Sequence, residues 1–220
     1  MRSLTAQPGL VEQAYDAILE AICEGQLAPR ERLTQERIAE TLEVSRQPIG
    51  QALGLLKAQG FVCDAGRRGV MVAPVERDFV HAFYEFRGAV DALAADVAAG
   101  HRSDDLAARG RAIVAEGRVA TRTGPVGALI AADMAFHKLL YETAGNPIVI
   151  DAMNHTWHHG RRAMSAVISL DSDWPTRIWD EHAAILEAVL GGEAKRAAEL
   201  AKAHARDAAT ALIAGLPEEH

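Results

Sequence analysis

Residues 34–62, TQERIAETLEVSRQPIGQALGLLKAQGFV, read as two short helices joined by a tight turn and followed directly by a strand. Thr34 is placed to cap a helix running to about Leu42. Ser45 caps the next, and Pro48 falls in its first turn, where backbone N–H groups have no intrahelical partner. Ile49, Ala52, Leu53 and Leu56 give this second helix one buried face, and Gly60 stops it. Its N-terminal residues Ser45, Arg46 and Gln47 carry base-reading chemistry. Arg46 can pair with guanine O6 and N7, Gln47 or Gln51 with adenine, and Ser45 with the helix N-terminus suits a phosphate.

On the N-terminal side, residues 9–24 carry apolar positions at helical spacing (Leu10, Ala14, Ala17, Ile18, Ala21, Ile22) and end at Gly25. On the C-terminal side, Phe61-Val62-Cys63 and Val70-Met71-Val72 read as two short strands. The turn residues Asp64-Ala65-Gly66-Arg67-Arg68-Gly69 between them make a hairpin. Three helices and a hairpin make a winged helix-turn-helix, whose last helix can enter the DNA major groove. Arg67 and Arg68 at the hairpin tip are placed for the minor groove or the DNA backbone.

Charge distribution agrees with that reading. The whole chain of 220 residues carries a formal charge of −7. Residues 44–75 nevertheless hold Arg46, Lys57, Arg67 and Arg68 against Asp64 alone, and are the one net-positive block. Two cysteines, Cys23 and Cys63, exclude a disulfide framework or a cysteine zinc cluster and suit a reducing cytoplasm. No apolar run is long enough to span a membrane, and the first residues lack a secretory h-region.

Pro74 marks a boundary between a domain at 1–75 and one at 76–220. Beyond it the pattern is helical throughout, with helices expected at about 77–99, 103–122, 125–144, 147–169, 174–190 and 193–214. The breaks are Gly100, Thr123-Gly124-Pro125, Gly145-Asn146-Pro147, Asp171-Ser172-Asp173 and Gly191-Gly192. The fold class is therefore mainly α: an N-terminal winged helix-turn-helix and a C-terminal all-α six-helix bundle.

Within the bundle, Asp133 and His137 lie four apart on one helix face. The Gly191-Gly192 turn makes the last two helices antiparallel, which puts His182 and His204 at similar depth. One carboxylate and three imidazoles form a coherent set for a divalent metal such as zinc, nickel or manganese. Chance i, i+4 pairs also occur among nine histidines. In HTWHHGRR, residues 155–162, His155, His158 and His159 have no acidic partner nearby and suit a polar pocket rim. Arg161 or Arg162 could touch an anionic effector. Trp157, Trp174 and Trp179 suit packing.

VSRQPIGQALGLLKAQGFV together with the Gly66-Arg67-Arg68-Gly69 wing resembles the GntR family of bacterial transcription regulators. The chain departs from the family pattern at Gly50, where an Arg is usual, at Gln51, where a Glu is usual, and at Glu43, where the turn usually has Gly. DMAFHKLLYETAGNP and DEHAAILEAVLGGEAKRAAELAKAH resemble the FCD-type effector domain of the FadR subfamily, in its shorter, VanR-like variant with six helices. The resemblance covers nearly the whole chain. It implies a cytoplasmic, homodimeric DNA-binding regulator acting on a palindromic double-stranded operator, with Asp133, His137, His182 and His204 as metal site. It also implies a small carboxylate effector, with Arg87 in YEFRGAVDALAA at the position that faces the pocket. Arg87 can equally pair with Asp91 one turn on. Two further readings stand beside this one: a helical metalloenzyme with an accessory N-terminal domain, and a sensor whose effector is the metal itself.

Overall fold

The computed structural model describes residues 9–66, 69–168 and 174–216. The chain divides into two compact units between Pro74 and Val75. Arg67, Arg68, the 171–173 break and the side chain of Trp174 lie outside what is described.

The first unit contains α1 (Leu10–Cys23), β1 (Arg32–Leu33), α2 (Gln35–Thr41), α3 (Arg46–Ala58), β2 (Val62–Asp64) and β3 (Val70–Val72). Ile18, Ile22, Ile38, Ile49, Leu53, Leu56 and Phe61 meet in its core. The three helices can bury these residues because each carries its apolar side chains at i, i+3, i+4 spacing. Thr34 caps α2, its Oγ1 accepting from Arg37 N at 3.3 Å. Ser45 occupies the N-cap position of α3 but, contrary to expectation, makes no side-chain cap bond. Glu43, in the turn between α2 and α3, sits at φ 54°. That left-handed conformation costs a residue with a Cβ about 1–2 kcal/mol, which explains why glycine is the usual occupant.

The sheet has three strands where the pattern predicts two, in the order β1-β3-β2 and antiparallel throughout. The added strand pairs Arg32 with Met71 and Leu33 with Val70. Two residues are too few to show a period-2 signal; the strand forms because the loop after α1 is tied to β3, with Arg30 N donating to Val72 O at 2.9 Å. The hairpin opens at Gly66 and closes at Gly69, both with positive φ.

The second unit contains α4 (Arg77–Ala98), α5 (Asp104–Thr123), α6 (Val126–Ala144), α7 (Pro147–Ile168), α8 (Trp174–Leu190) and α9 (Ala194–Gly215). All six start and stop within one residue of the predicted limits. Ser103 caps α5, its Oγ accepting from Leu106 N at 3.1 Å, and Gly145 ends α6 with φ 67°. Small residues let the helices approach closely. A Cβ at Gly117 would lie 2.0 Å from Trp179, and one at Gly110 would lie 2.5 Å from Leu186. Those two glycines, seven apart on α5, are the notch in which α8 sits. No helix among the described residues is long and apolar enough to cross a membrane.

Candidate functional site

In the first unit, α3 presents two faces. Pro48, Ile49, Ala52, Leu53 and Leu56 are buried, while Ser45, Arg46, Gln47 and Gln51 are exposed. The four described residues predicted to read DNA therefore share the outward side of one helix. Arg46 is not free there: its Nη1 lies 2.9 Å from Glu36 Oε1 on α2. Both partners are well exposed, so the pair holds Arg46 only loosely. Gly50 is also on this side, and a Cβ there would meet only the end of the Gln35 side chain, at 3.3 Å.

In the second unit, α6 supplies Asp133 and His137, α8 supplies His182 and α9 supplies His204. One ligand atom from each of the four lies within 4.8 Å of every other, and all four residues are buried. The Gly191-Gly192 turn brings α8 and α9 back on each other, and one helical turn joins the α6 pair. His182 Nε2 is 3.4 Å from Asp133 Oδ1 and 3.2 Å from His137 Nε2.

Two of the three rings have a carboxylate beside Nδ1. His137 Nδ1 lies 3.3 Å from Asp91 Oδ2, and Asp91 Oδ1 accepts from the Tyr141 hydroxyl. His204 Nδ1 lies 2.8 Å from Glu181 Oε2. A carboxylate behind a histidine fixes ring orientation and raises ligand basicity. Burial drives the pKa of His182 well below its ordinary value, with His204 adding to the effect. Burial also lowers His204, against the opposing hydrogen bond to Glu181. Both rings thus stay neutral and keep the lone pairs that a metal needs. Burial alone would raise the pKa of Asp133, but Arg87, His137 and His182 outweigh it and keep the carboxyl ionised. Two imidazoles held neutral, a third beside Asp91 and an ionised carboxylate make a donor set that fits a divalent cation.

Arg87, from α4, enters the same cluster and is 1 % exposed. Its Nε lies 3.3 Å from Asp91 Oδ2, as the i, i+4 pairing predicts. Its Nη2 also lies 3.5 Å from Asp133 Oδ2 and contacts His137 Nε2. The guanidinium stacks on Trp157, 4.7 Å from the ring centroid. Asp91 is drawn down to about 2 because His137, Arg87 and Tyr141 outweigh the effect of burial.

The 155–162 stretch needs one correction. His155 does have an acidic neighbour: Asp151, one turn earlier, with Oδ1 3.6 Å from Nδ1. The pair is exposed and has no third ligand, so the stretch still forms no metal set among the described residues. His158 lines a cleft between α6 and α7, as a rim residue would. Arg162 is buried against Phe79. Trp157 and Trp179 are buried.

Asp91 as partner of His137, Tyr141 and Glu181 are the site residues that pattern reading missed. Tyr141 follows His137 by four positions on the same helix face, and Glu181 directly precedes His182, so both were in view without a reason to single them out.

Two family patterns match the chain: the bacterial regulatory proteins of the gntR family over residues 10–72, and the FCD domain over residues 82–207. The chain belongs to the GntR family and carries an FCD domain. The FCD match fits the FadR subfamily. A curated relative, the HTH-type transcriptional regulator YdhC of Bacillus subtilis, is 24 % identical over 144 residues. That alignment covers 65 % of this chain and 64 % of the relative. Among solved structures, E. coli McbR/YncC superposes with a TM-score of 0.78 at 16 % identity, over 94 % of this chain and 98 % of that one. A GntR-type regulator of Rhodococcus sp. RHA1 superposes with a TM-score of 0.77 at 20 % identity, over 94 % and 99 %. At those identities the likeness establishes the fold.

Proposed function

We propose that this GntR-family protein is a cytoplasmic, ligand-responsive transcription regulator. Its first unit reads a double-stranded operator through Ser45, Arg46, Gln47 and Gln51, with the Arg67-Arg68 wing on the adjoining groove. Its second unit binds a small carboxylate. The family is one of regulators and not of enzymes, so the metalloenzyme reading falls away.

The observation that carries the ligand-responsive half is the placement of Arg87, buried against two of the four candidate ligands. Arg87, Asp91 and Asp133 leave the cluster with one surplus negative charge, and buried charge is stable only when balanced. A divalent cation such as zinc, nickel or manganese, held by Asp133, His137, His182 and His204, would turn that into one surplus positive charge and supply an anchor for an anion. A monocarboxylate then restores neutrality, with Arg87 offering two N–H donors to its oxygens. Trp157 and Tyr84 keep the guanidinium in place, and Asp91 orients it through Nε.

A homodimer on a palindrome is part of the proposal. Phe86 and Leu93, seven apart on α4, are 43 % and 48 % exposed. With Ala82 and Ala89 they form an apolar stripe that a second copy would cover.

Selection of genomic fragments by the purified protein tests the DNA half. The expected result is enrichment of a sequence that Arg46→Ala no longer prefers; enrichment of none ends the proposal. Metal analysis after chelation and zinc loading tests the cluster: the wild type retains about one zinc per chain, and His182→Ala retains none.

A further inference from the structure

The candidate metal cluster is buried, and a cleft lies beside it. Between α6 and α7 lies a cavity of about 440 Å³, with Met134, Lys138 and Tyr141 on one side and Ile150, Asn154 and Trp157 on the other. That volume is in the range of small-molecule sites, which run from about 300 to 1,000 Å³. The lining is largely apolar, with an aromatic floor of Tyr141 and Trp157.

One cation stands at its mouth. Glu142 Oε2 accepts from Arg109 Nη2 at 3.1 Å. Lys138 Nζ forms a long ion pair with Glu142 Oε1, 3.9 Å away, and Glu142 also lines the cleft. So long and exposed a pair is weak, and the Lys138 ammonium can turn to another anion. Asn154, across the cleft, adds an exposed amide.

We propose that the α6–α7 cleft is a second small-molecule site, selective for a compact apolar monocarboxylate. The ring or branched chain lies on Tyr141 and Trp157, and the carboxylate meets Lys138 and Asn154. The floor residues are also the outer wall of the cluster. Tyr141 donates to Asp91, which adjoins His137, and Trp157 carries Arg87 on its inner face. An occupant that shifts Tyr141 alters the support of His137. Binding in the cleft stands without the effector reading of Arg87; its coupling to the metal rests on the metal site proposed above.

Calorimetric titration of the chelator-treated full chain tests the site, with phenylacetate, cyclohexylacetate and acetate as probes. The first two bind saturably, and acetate binds at least about tenfold more weakly for want of a body to bury. Lys138→Gln weakens phenylacetate by about fivefold, and Ala131→Trp, at the exposed rim, blocks it. Both variants alter surface positions and keep the fold, read by circular dichroism. Saturating phenylacetate shifts a competitive zinc titration of the wild type and leaves that of Ala131→Trp unchanged. No saturable phenylacetate binding overturns the proposal. So does binding that survives Lys138→Gln and Ala131→Trp but is lost in Arg87→Gln; that result would put the carboxylate at the cluster and leave the proposed function standing. Lys138-dependent binding with no influence of any acid on DNA affinity has the opposite meaning: the cleft stands and the effector reading fails.

Discussion

Gly117→Ala is a single methyl placed where the packing is tightest. The new Cβ would lie 2.0–2.2 Å from three atoms of the Trp179 indole, where an ordinary carbon contact is about 3.5–4.0 Å. Trp179 is fully buried and its ring centroid is 4.7 Å from that of His182. To admit the methyl, either α5 must move away from α8 or the indole must turn towards His182. Overpacking of this kind costs about 1–3 kcal/mol, and so severe an overlap belongs at the top of that range. Replacing a helical glycine by alanine returns about 1 kcal/mol. The balance is a loss of roughly 1–2 kcal/mol. At about 2–4 °C per kcal/mol for a chain of this size, Tm falls by roughly 2–8 °C. Because the displaced ring supports His182, zinc affinity falls as well, by about tenfold, as it does when the surroundings of a ligand are disturbed. Differential scanning calorimetry and a competitive zinc titration measure both. Gly127→Ala is the control: nothing lies within 4 Å of its Cβ position, so Tm holds or rises. A Gly117→Ala protein as stable as the wild type, with unchanged zinc affinity, would refute the notch and its link to the metal site.

Gly50→Arg restores a cation on the outward side of α3, with only the flexible Gln35 end to move; DNA affinity rises about five- to tenfold and the salt slope steepens by about one, read by anisotropy at several salt concentrations. Phe86→Glu with Leu93→Glu puts like charges on the α4 stripe, and sedimentation velocity is expected to show monomers where the wild type sediments as a dimer. For the pH dependence of the chelator-treated protein, burial lowers the pKa of His182, His204 and His159, the last to about 4. The unfolded chain takes up those protons first on acidification, so their contribution to stability is lost below the ordinary histidine range. His137 is raised by Asp91 and Asp133 against burial and has the opposite sign. Three groups against one predict a lower Tm at about pH 5.5 than at about pH 7.5, with the gap widened by zinc.

Periodicity and punctuation made most of this fold legible. Gly, Pro and Asn at the breaks after α5, α6 and α8 are strong local signals, legible without any distant contact. Strand β1 was hidden because two residues carry no pattern; it depends on Arg30 and Glu31 meeting Val72. The departure at Glu43 was visible in the motif, but its left-handed φ only in the fold. The two halves of the ligand set were legible, since i, i+4 spacing joins Asp133 to His137 and the Gly-Gly turn sets His182 beside His204; only the family resemblance implied that the halves meet, and the packing of α6 against α8 and α9 brings them together. The residues behind the ligands were not legible. Asp91 reaches His137 from another helix, 46 positions earlier, and no spacing rule carries that distance. Arg87 shows the same limit: the i, i+4 rule found Asp91, while its contacts with Asp133 and His137 come from the packing of α4 on α6.

The measurement that bears most directly on the account is the affinity of the zinc-loaded protein for its selected DNA fragment, taken with and without a panel of small organic acids, in the wild type and in Arg87→Gln. The account predicts that at least one acid changes the wild-type dissociation constant by about fivefold or more, and that Arg87→Gln binds the DNA but no longer responds. DNA affinity indifferent to every acid, or a response that survives loss of the Arg87 guanidinium, would contradict it.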